Sequence, residues 1–220
     1  GSSPEQKIIT INVDEKPTGE ITAGAGVGTN GATFGFSVIE NNYLGRGLKF
    51  ASDFSVSGET IRGKFSVSNR NFNDSDRSVK VSLESSETDR MTNYGYKSSK
   101  TGFELGTGYE YYEDLFFNAS ISSYLEKIET SSKASSKMQK QKGNYFDTFL
   151  SYTLDFDTRN QRYETTDGYR SVFTQQLPII SENNTLQNFY DYKIYKEYAE
   201  NSIISVGFFA GMSKSISNKD

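Results

Sequence analysis

The side chains that most often perform catalysis are missing from this sequence. It contains no histidine and no cysteine, which excludes the usual metal clusters, Ser-His-Asp triads and thiol nucleophiles. We therefore expect a protein that is not an enzyme and that has no metal or cofactor site. The net charge of -4 provides no uniformly basic surface, so nucleic acid is not an expected partner.

A first candidate for function is a short turn built around two glycines. The stretch "ENNYLGRG", residues 40–47, places Arg46 between Gly45 and Gly47. Glycine adopts positive φ at little cost, so a tight reversal of the chain explains both glycines. Arg46 has two open interpretations, a specific role at the rim of the protein or a solvated turn cation.

A second candidate is the polar segment "DTRNQRYETTDG", residues 157–168, which ends in Asp167 and Gly168. The Asp167 carboxylate can bond the local backbone, and Gly168 can adopt a left-handed conformation before the next strand. This segment is longer than a reversal of the chain requires. We therefore expect it to have a structure of its own.

Strands must position these turns. The chain has 15 Tyr, 16 Phe and 19 Gly with 34% hydrophobic residues, a mixture typical of aromatic-rich strands. After a break at Pro17 and Gly19, apolar residues recur at every second position, which predicts about eleven strands of roughly ten residues. The predicted strands are 19–28, 31–39, 48–57, 60–68, 78–84, 102–112, 115–126, 146–156, 169–180, 189–199 and 202–213.

The alternation favours a membrane barrel. No stretch approaches the roughly 20 apolar residues of a spanning helix, whereas strands of about ten residues cross a bilayer when tilted. A soluble antiparallel sheet, which also alternates, stays as the alternative. The barrel predicts an inward network of the charged residues Lys49, Asp53, Arg62, Lys64, Lys80, Glu84 and Glu104. It also predicts an interfacial aromatic girdle of Tyr109, Tyr111, Tyr112, Phe116 and Phe117.

The lengths of the connections predict which of them lie together on one side of the sheet. The long ones at 85–101 and 127–144, together with 181–188, lie on one side of the sheet, and mostly compact ones at 40–47, 68–77, 112–114 and 157–168 lie on the other. The Ser- and Lys-rich segment 127–142 is expected to be a mobile loop that could touch anionic lipopolysaccharide.

Three motifs together resemble the BamA-type outer-membrane assembly factors. "VDEKPTGEITAGAGVG" resembles the exit from the last polypeptide-transport-associated (POTRA) domain into barrel strand one. "ENNYLGRG" resembles the turn between strands two and three, and "LDFDTRNQRYETTDGYRSVF" resembles a later turn of that barrel. The segments occur in family order, although Thr165 replaces the family's proline before Thr-Asp-Gly.

The resemblance implies an all-β fold: about eleven strands of a sixteen-stranded antiparallel transmembrane barrel, preceded by the last strand of a POTRA domain. Residues 1–3, Gly-Ser-Ser, have the composition of a cloning remnant. The resemblance divides the remaining chain into the POTRA end (4–17) and barrel strands one to eleven (18–220). The family's Arg-Gly-Phe loop signature is absent from the sequence, so we expect a fragment.

The resemblance also implies a function, the folding and insertion of other β-barrel proteins into the outer membrane of a Gram-negative bacterium. An incoming strand would pair with the edge of strand one. Implied partners are nascent outer-membrane proteins, assembly-complex lipoproteins, periplasmic chaperones, and outer-membrane lipid and lipopolysaccharide. The implied pairing edge consists of Gly19, Glu20, Ile21, Thr22, Ala23, Gly24, Ala25, Gly26, Val27 and Gly28. The implied periplasmic turn motifs consist of Asn42, Tyr43, Leu44, Gly45, Arg46, Gly47, Asp157, Arg159, Thr166, Asp167 and Gly168.

Two questions stay open at this point. The glycines of strand one either weaken a seam or relieve crowding where the strand bends. The function could instead be that of a translocation-assembly or two-partner secretion transporter, a passive porin, or a soluble β-sandwich binding module.

Overall fold

The computed structural model of the protein describes residues 14, 16–28, 31–182, 184–200 and 202–216. Its strands are β1 (Gly19–Gly28), β2 (Gly31–Tyr43), β3 (Leu48–Ser57), β4 (Thr60–Asn69), β5 (Ser78–Arg90), β6 (Tyr96–Tyr112), β7 (Leu115–Thr130), β8 (Gly143–Asp157), β9 (Asp167–Ile180), β10 (Thr185–Ala199) and β11 (Ser202–Ser215). The predicted POTRA strand within 4–17 lies outside the described residues, apart from positions at its end.

All eleven strands form one antiparallel sheet in chain order, from β1 to β11. The predicted all-β, antiparallel architecture is therefore confirmed. Each inner strand pairs with its two sequence neighbours, while β1 and β11 are the edges of the described sheet. Short helical pieces interrupt the meander at Phe72–Asp74, at α1 (Met91–Tyr94) and at α2 (Ser136–Gln139). None of the helices in the described part of the chain is long and apolar enough to cross a membrane.

The pairing register places the apolar residues on one face, as the alternation predicted. Phe36 lies opposite Phe54. A second row of apolar residues runs from Phe65 through Leu83 to Phe103. Residues directly opposite each other in an antiparallel pair share a face. We call this the outward face, and the face bearing Asp53 and Lys64 the inward face.

The outward face has no layer packed against it in the described structure. Ala134 is the one hydrophobic residue buried among the described residues, while Ile21 is 71% exposed and Phe208 is 58% exposed. A continuous exposed apolar surface of this kind marks contact with lipid or with another protein. The second layer that a soluble sandwich needs to cover its apolar face is not found in the described sheet.

Some of the predicted charged residues form ion pairs on the inward face. Glu84 accepts from Arg62 Nη2 at 2.7 Å and lies 3.6 Å from Lys64 Nζ. Asp53 lies opposite Lys64 in the register. The other predicted members, Lys49, Lys80 and Glu104, make no ion pair in the described part of the chain, so the network is smaller than predicted.

Two predicted connections were wrong. Most of 85–101 is strand, because β5 and β6 continue until only residues 91–95 separate them. The segment 127–142 likewise begins as strand β7 and continues into α2, which Ser135 caps by accepting from the Met138 N–H. The outward apolar alternation stops before the backbone pairing does, so hydrophobic periodicity underestimated these strands.

Aromatic rings form a belt on the outward face near one end of the strands. Tyr109 contacts Phe117 with ring centroids 5.7 Å apart, Phe117 stacks on Tyr152 at 6.5 Å, and Tyr152 meets Phe173 at 6.2 Å. The predicted girdle is thus present and extends further. Phe116 was wrongly included, because it lies opposite Asp155 on the inward face.

The belt distinguishes the two ends of the sheet. We call the end with connections 44–47, 70–77, 113–114 and 158–166 the turn end. The opposite end, with connections 58–59, 91–95, 131–142 and 181–184, is the loop end. The two predicted turn motifs, within 40–47 and 157–168, both lie at the turn end.

Candidate functional site

Strand β1 presents a free edge. It pairs with β2 without a register shift from Gly19 to Gly28, and all ten of its residues are exposed. In the described structure no strand pairs with its other side. Alternate N–H and C=O groups of an antiparallel edge strand therefore point away from the sheet, ready to pair with another chain.

This edge lacks the usual protection against pairing. Natural edge strands are blunted by charges, proline or bulges. Glu20 is the one charged residue in β1, and the strand contains neither proline nor a bulge. The ten residues predicted as a pairing edge, 19–28, are thus brought together as one continuous, accessible strand.

Gly24, Gly26 and Gly28 do not relieve crowding in the described sheet. A Cβ added at Gly24, Gly26 or Gly28 would have no atom within 4 Å. None of these glycines has a positive φ. Glycine is therefore not required sterically at these positions, and its effect is to weaken the strand and leave the inward face of β1 without side chains from Gly24 onward.

The missing side chains open a groove beside the edge. Gly24 lies opposite Gly35 of β2, and next to them is a cleft of about 510 Å³ on the sheet surface. Its polar lining includes Thr22, Asp53 and Arg62. The inward surface next to β1 is thus polar and open, with few packing contacts that would hold the edge in place.

The turn-end start of β1 is fastened, in contrast to the rest of the strand. Glu40 accepts a hydrogen bond from the Thr18 hydroxyl and another from the Asn42 N–H at 2.8 Å. The Thr18 carbonyl accepts from both the backbone N–H of Asn41 at 3.2 Å and its side-chain amide at 3.0 Å. The turn-end part of β2 therefore holds Thr18, the residue directly before β1.

The 44–47 turn uses its glycines as predicted. Gly45 and Gly47 have φ of 69° and 65°. Leu44 has φ of 55°, which the sequence did not predict because leucine seldom adopts this conformation. Asn42 closes the turn by accepting from the Gly47 N–H at 2.6 Å. Arg46 is exposed, as a solvated turn cation would be, and Tyr43 stacks on Phe50 at 6.0 Å.

The 158–166 turn is organised by Asn160. Its side-chain oxygen accepts from the N–H groups of Thr166 and Asp167, each at 3.2 Å. Its amide donates to the Thr166 hydroxyl at 2.6 Å. Gly168 has φ of 96°, and a Cβ there would lie 2.3 Å from the Thr158 carbonyl oxygen, so conformation and space both require glycine.

Arginine and aspartate brace the base of this turn. Arg159 donates to both carboxylate oxygens of Asp157 at 2.7 Å, and this bond raises the pKa of the Arg159 guanidinium above its ordinary value. Arg170 makes a second two-pronged pair with Asp155 at 2.8 and 2.6 Å. Paired guanidinium and carboxylate groups of this geometry fix orientation as well as charge. The Asp167 carboxylate accepts from Lys196 Nζ at 3.0 Å.

The predicted residues thus form two separate sites. The edge 19–28 and the turn 44–47 belong together at β1 to β3, whereas Asp157, Arg159 and Gly168 lie between β8 and β9. Sequence reasoning missed Thr18, Glu40 and Asn160. Asn160 had a signal, since asparagine in a turn commonly bonds the backbone further along. The contact from Thr18 to Glu40 joins residues 22 positions apart, and no local sequence pattern indicates it.

Comparisons with known proteins agree with the fold. The sequence profile described as "Omp85 superfamily domain" matches residues 42–220. The crystal structure of BamA from Haemophilus ducreyi lacking POTRA domains 1–3 superposes with a TM-score of 0.75 at 18% identity, covering 94% of this chain. This chain spans 43% of that chain's length. A search of curated proteins found no significant match.

Proposed function

This chain belongs to the Omp85 superfamily, and from that premise we propose that it is the first part of the barrel of an outer-membrane protein assembly factor. In this proposal the barrel lies in the outer membrane of a Gram-negative bacterium and inserts other β-barrel proteins there. The outward apolar face contacts lipid, and the charged inward face lines a hydrated lumen.

The observation that carries the proposal is the free edge of β1. A strand of ten exposed residues with an uninterrupted register can accept another strand through backbone hydrogen bonds alone. The reaction needs no catalytic side chain, because the incoming strand exchanges hydrogen bonds to water for hydrogen bonds to β1. Backbone pairing is also tolerant of sequence, which suits an acceptor for many different barrel proteins.

The local structure supports a strand that is anchored at one end and loose along the rest. Thr18 and Glu40 hold the turn-end start of β1, whereas Gly24, Gly26 and Gly28 make no side-chain contacts on the inward face. Such a strand keeps its register while its free edge opens and pairs. A fully packed strand would resist opening, and an unanchored one would lose register.

The proposed substrates are nascent outer-membrane proteins. Assembly-complex lipoproteins and periplasmic chaperones follow as proposed partners from the same family assignment. An unpaired edge is not tolerated in hydrocarbon, so β1 must pair with a closing strand between cycles. Substrate pairing therefore competes with that closing strand.

Disulfide trapping tests the proposal. Single cysteines replace Ile21, Ala23 or Val27 in the full-length protein, and a second cysteine is moved along the last strand of a nascent barrel substrate. Cα atoms of directly opposed residues lie about 4.5 to 5.5 Å apart, within the range of about 4.4 to 6.8 Å that a disulfide spans. We expect crosslinks in one register, so that moving from Ile21 to Ala23 moves the substrate partner by two residues.

A matched control uses Phe65, an outward residue of β4 whose strand pairs on both sides, with Ser52 of β3 and Leu83 of β5. A cysteine at that position should give no crosslink. Absence of crosslinks at every β1 position, with the barrel correctly inserted, would overturn the proposal and favour a transporter or a porin. Crosslinks of equal yield at Phe65 would show random collision.

A further inference from the structure

The outward face changes character at the loop end of β6 to β8. Thr101 of β6 lies opposite Leu125 of β7, which lies opposite Phe146 of β8. Two positions further, the row contains Ser99, Lys127 and Asn144. Two strand residues span about 7 Å, so the apolar surface becomes polar within the height of a lipid headgroup.

A groove lies across this boundary. It has a volume of about 410 Å³, and its outward lining consists of Ser99, Thr101, Leu125, Lys127, Asn144 and Phe146. The floor is apolar and accessible, since Leu125 is 63% exposed and Phe146 is 45% exposed. The one cation among the outward lining residues is Lys127. Lys127 contacts Glu129, and the carboxylate partly compensates the charge of the lysine.

Cationic charge accumulates above the groove. The connection 131–142 contains Lys133, Lys137, Lys140 and Lys142, with no acidic residue between Glu129 and Asp147. All four lysines are exposed. In the described part of the chain none of them forms an ion pair.

This lysine loop is held in a defined place. Ala134 is buried, and its N–H lies so close to Gly95 that a Cβ on the glycine would be 2.5 Å from the nitrogen. The Gly95 carbonyl accepts from the Ser131 N–H at 2.7 Å. Gln139 donates to the Ala134 carbonyl at 2.8 Å. The loop therefore presents its charge from a fixed position beside the headgroup boundary.

We infer that the groove and the lysine loop bind an anionic lipid whose headgroup carries more than one phosphate. An acyl chain lies against Leu125 and Phe146, Lys127 and Asn144 contact the headgroup, and the lysine loop contacts its phosphates. The amphipathic lining of the groove and the positive charge of the loop both fit this occupant. A bound protein segment would not require an apolar floor and a cationic rim at the headgroup boundary. The inference rests on the proposed function, because it requires the outward face to lie in a membrane.

Binding of diphosphoryl lipid A tests the inference. The full-length protein is reconstituted in phosphatidylcholine nanodiscs with increasing lipid A, and the bound lipid is counted by native mass spectrometry. A basic residue near an anionic surface contributes about 1 kcal/mol, which converts to about a fivefold change in affinity. We expect Lys127→Gln to weaken lipid A binding about fivefold. Replacing all four loop lysines by glutamine should weaken it more than about tenfold.

Lys80→Gln is the matched control, because Lys80 lies on the inward face and should leave lipid A affinity unchanged. Unchanged affinity in the loop and Lys127 variants would overturn the inference, and so would equal weakening by Lys80→Gln. Displacement of lipid A by millimolar inorganic phosphate would also overturn it, since that result indicates a phosphate site without a lipid requirement.

The two proposals fail in distinguishable ways. A protein that inserts and assembles substrate barrels but shows no lipid A preference refutes the lipid site alone. A protein that does not reconstitute in membranes refutes the proposed function itself. Variants are compared only when heat-modifiable migration shows a folded barrel.

Discussion

Replacing Gly24 and Gly26 of β1 by valine is expected to stabilise the edge and slow assembly. Both valine side chains fit, because a Cβ at either position has no atom within 4 Å and neither residue has a positive φ. Glycine in a strand costs roughly 0.5 to 1 kcal/mol relative to alanine, and valine is better still. The double variant should therefore gain about 1 to 2 kcal/mol of local stability.

This gain predicts two measurable changes. A stabilisation of one or two kcal/mol lowers the population of an opened state by about 5- to 30-fold. Amide hydrogen exchange of β1 should slow by that factor while exchange in β6 and β7 stays unchanged. If opening of β1 limits the reaction, the rate of substrate barrel insertion into lipid vesicles should fall by the same factor.

Gly63→Val provides the matched control. Gly63 lies inside β4 between two paired strands, and an added Cβ would have Phe54 Cδ2 as its nearest neighbour at 3.9 Å. This variant should stabilise the sheet without changing insertion. Slower exchange of β1 with an unchanged insertion rate in the double variant would refute the reasoning, because a more stable edge would then carry no kinetic cost.

Two further predictions concern the turn end. Gly168→Ala should destabilise the barrel in urea unfolding by about 3 kcal/mol, because it adds a clash with Thr158 to the backbone strain. Gly45→Ala has open space around it and should cost about 1 to 2 kcal/mol from strain alone. Equal losses of stability in the two variants would contradict the steric argument. Asp157→Ala should cost about 1.5 to 3 kcal/mol, because it removes both acceptors of the paired bonds from Arg159. In a double-mutant cycle, adding Arg159→Gln should then cost little more, and additive losses would show that the two side chains act independently.

The sequence alone determined the strand content and the two faces. Period-two alternation is a local property, so Phe36, Phe54 and Phe65 could be placed on one face before any pairing was known. The absence of histidine and cysteine likewise directed attention from catalysis to backbone pairing. The glycine conformations at Gly45, Gly47 and Gly168 were also predictable, because turn chemistry depends on neighbouring residues.

The tertiary structure decided what depends on residues distant in the chain. Periodicity ended β5 too early and began β6 too late, because backbone hydrogen bonds continue where the outward side chains turn polar at Ser85 and Thr101. The same dependence explains why the anchor from Thr18 to Glu40 and the docking of Ala134 on Gly95 were not foreseen. Alternation assigns a residue to a face, but only the register brings distant residues into contact. What surrounds the glycines of β1 is therefore a property of the assembled sheet.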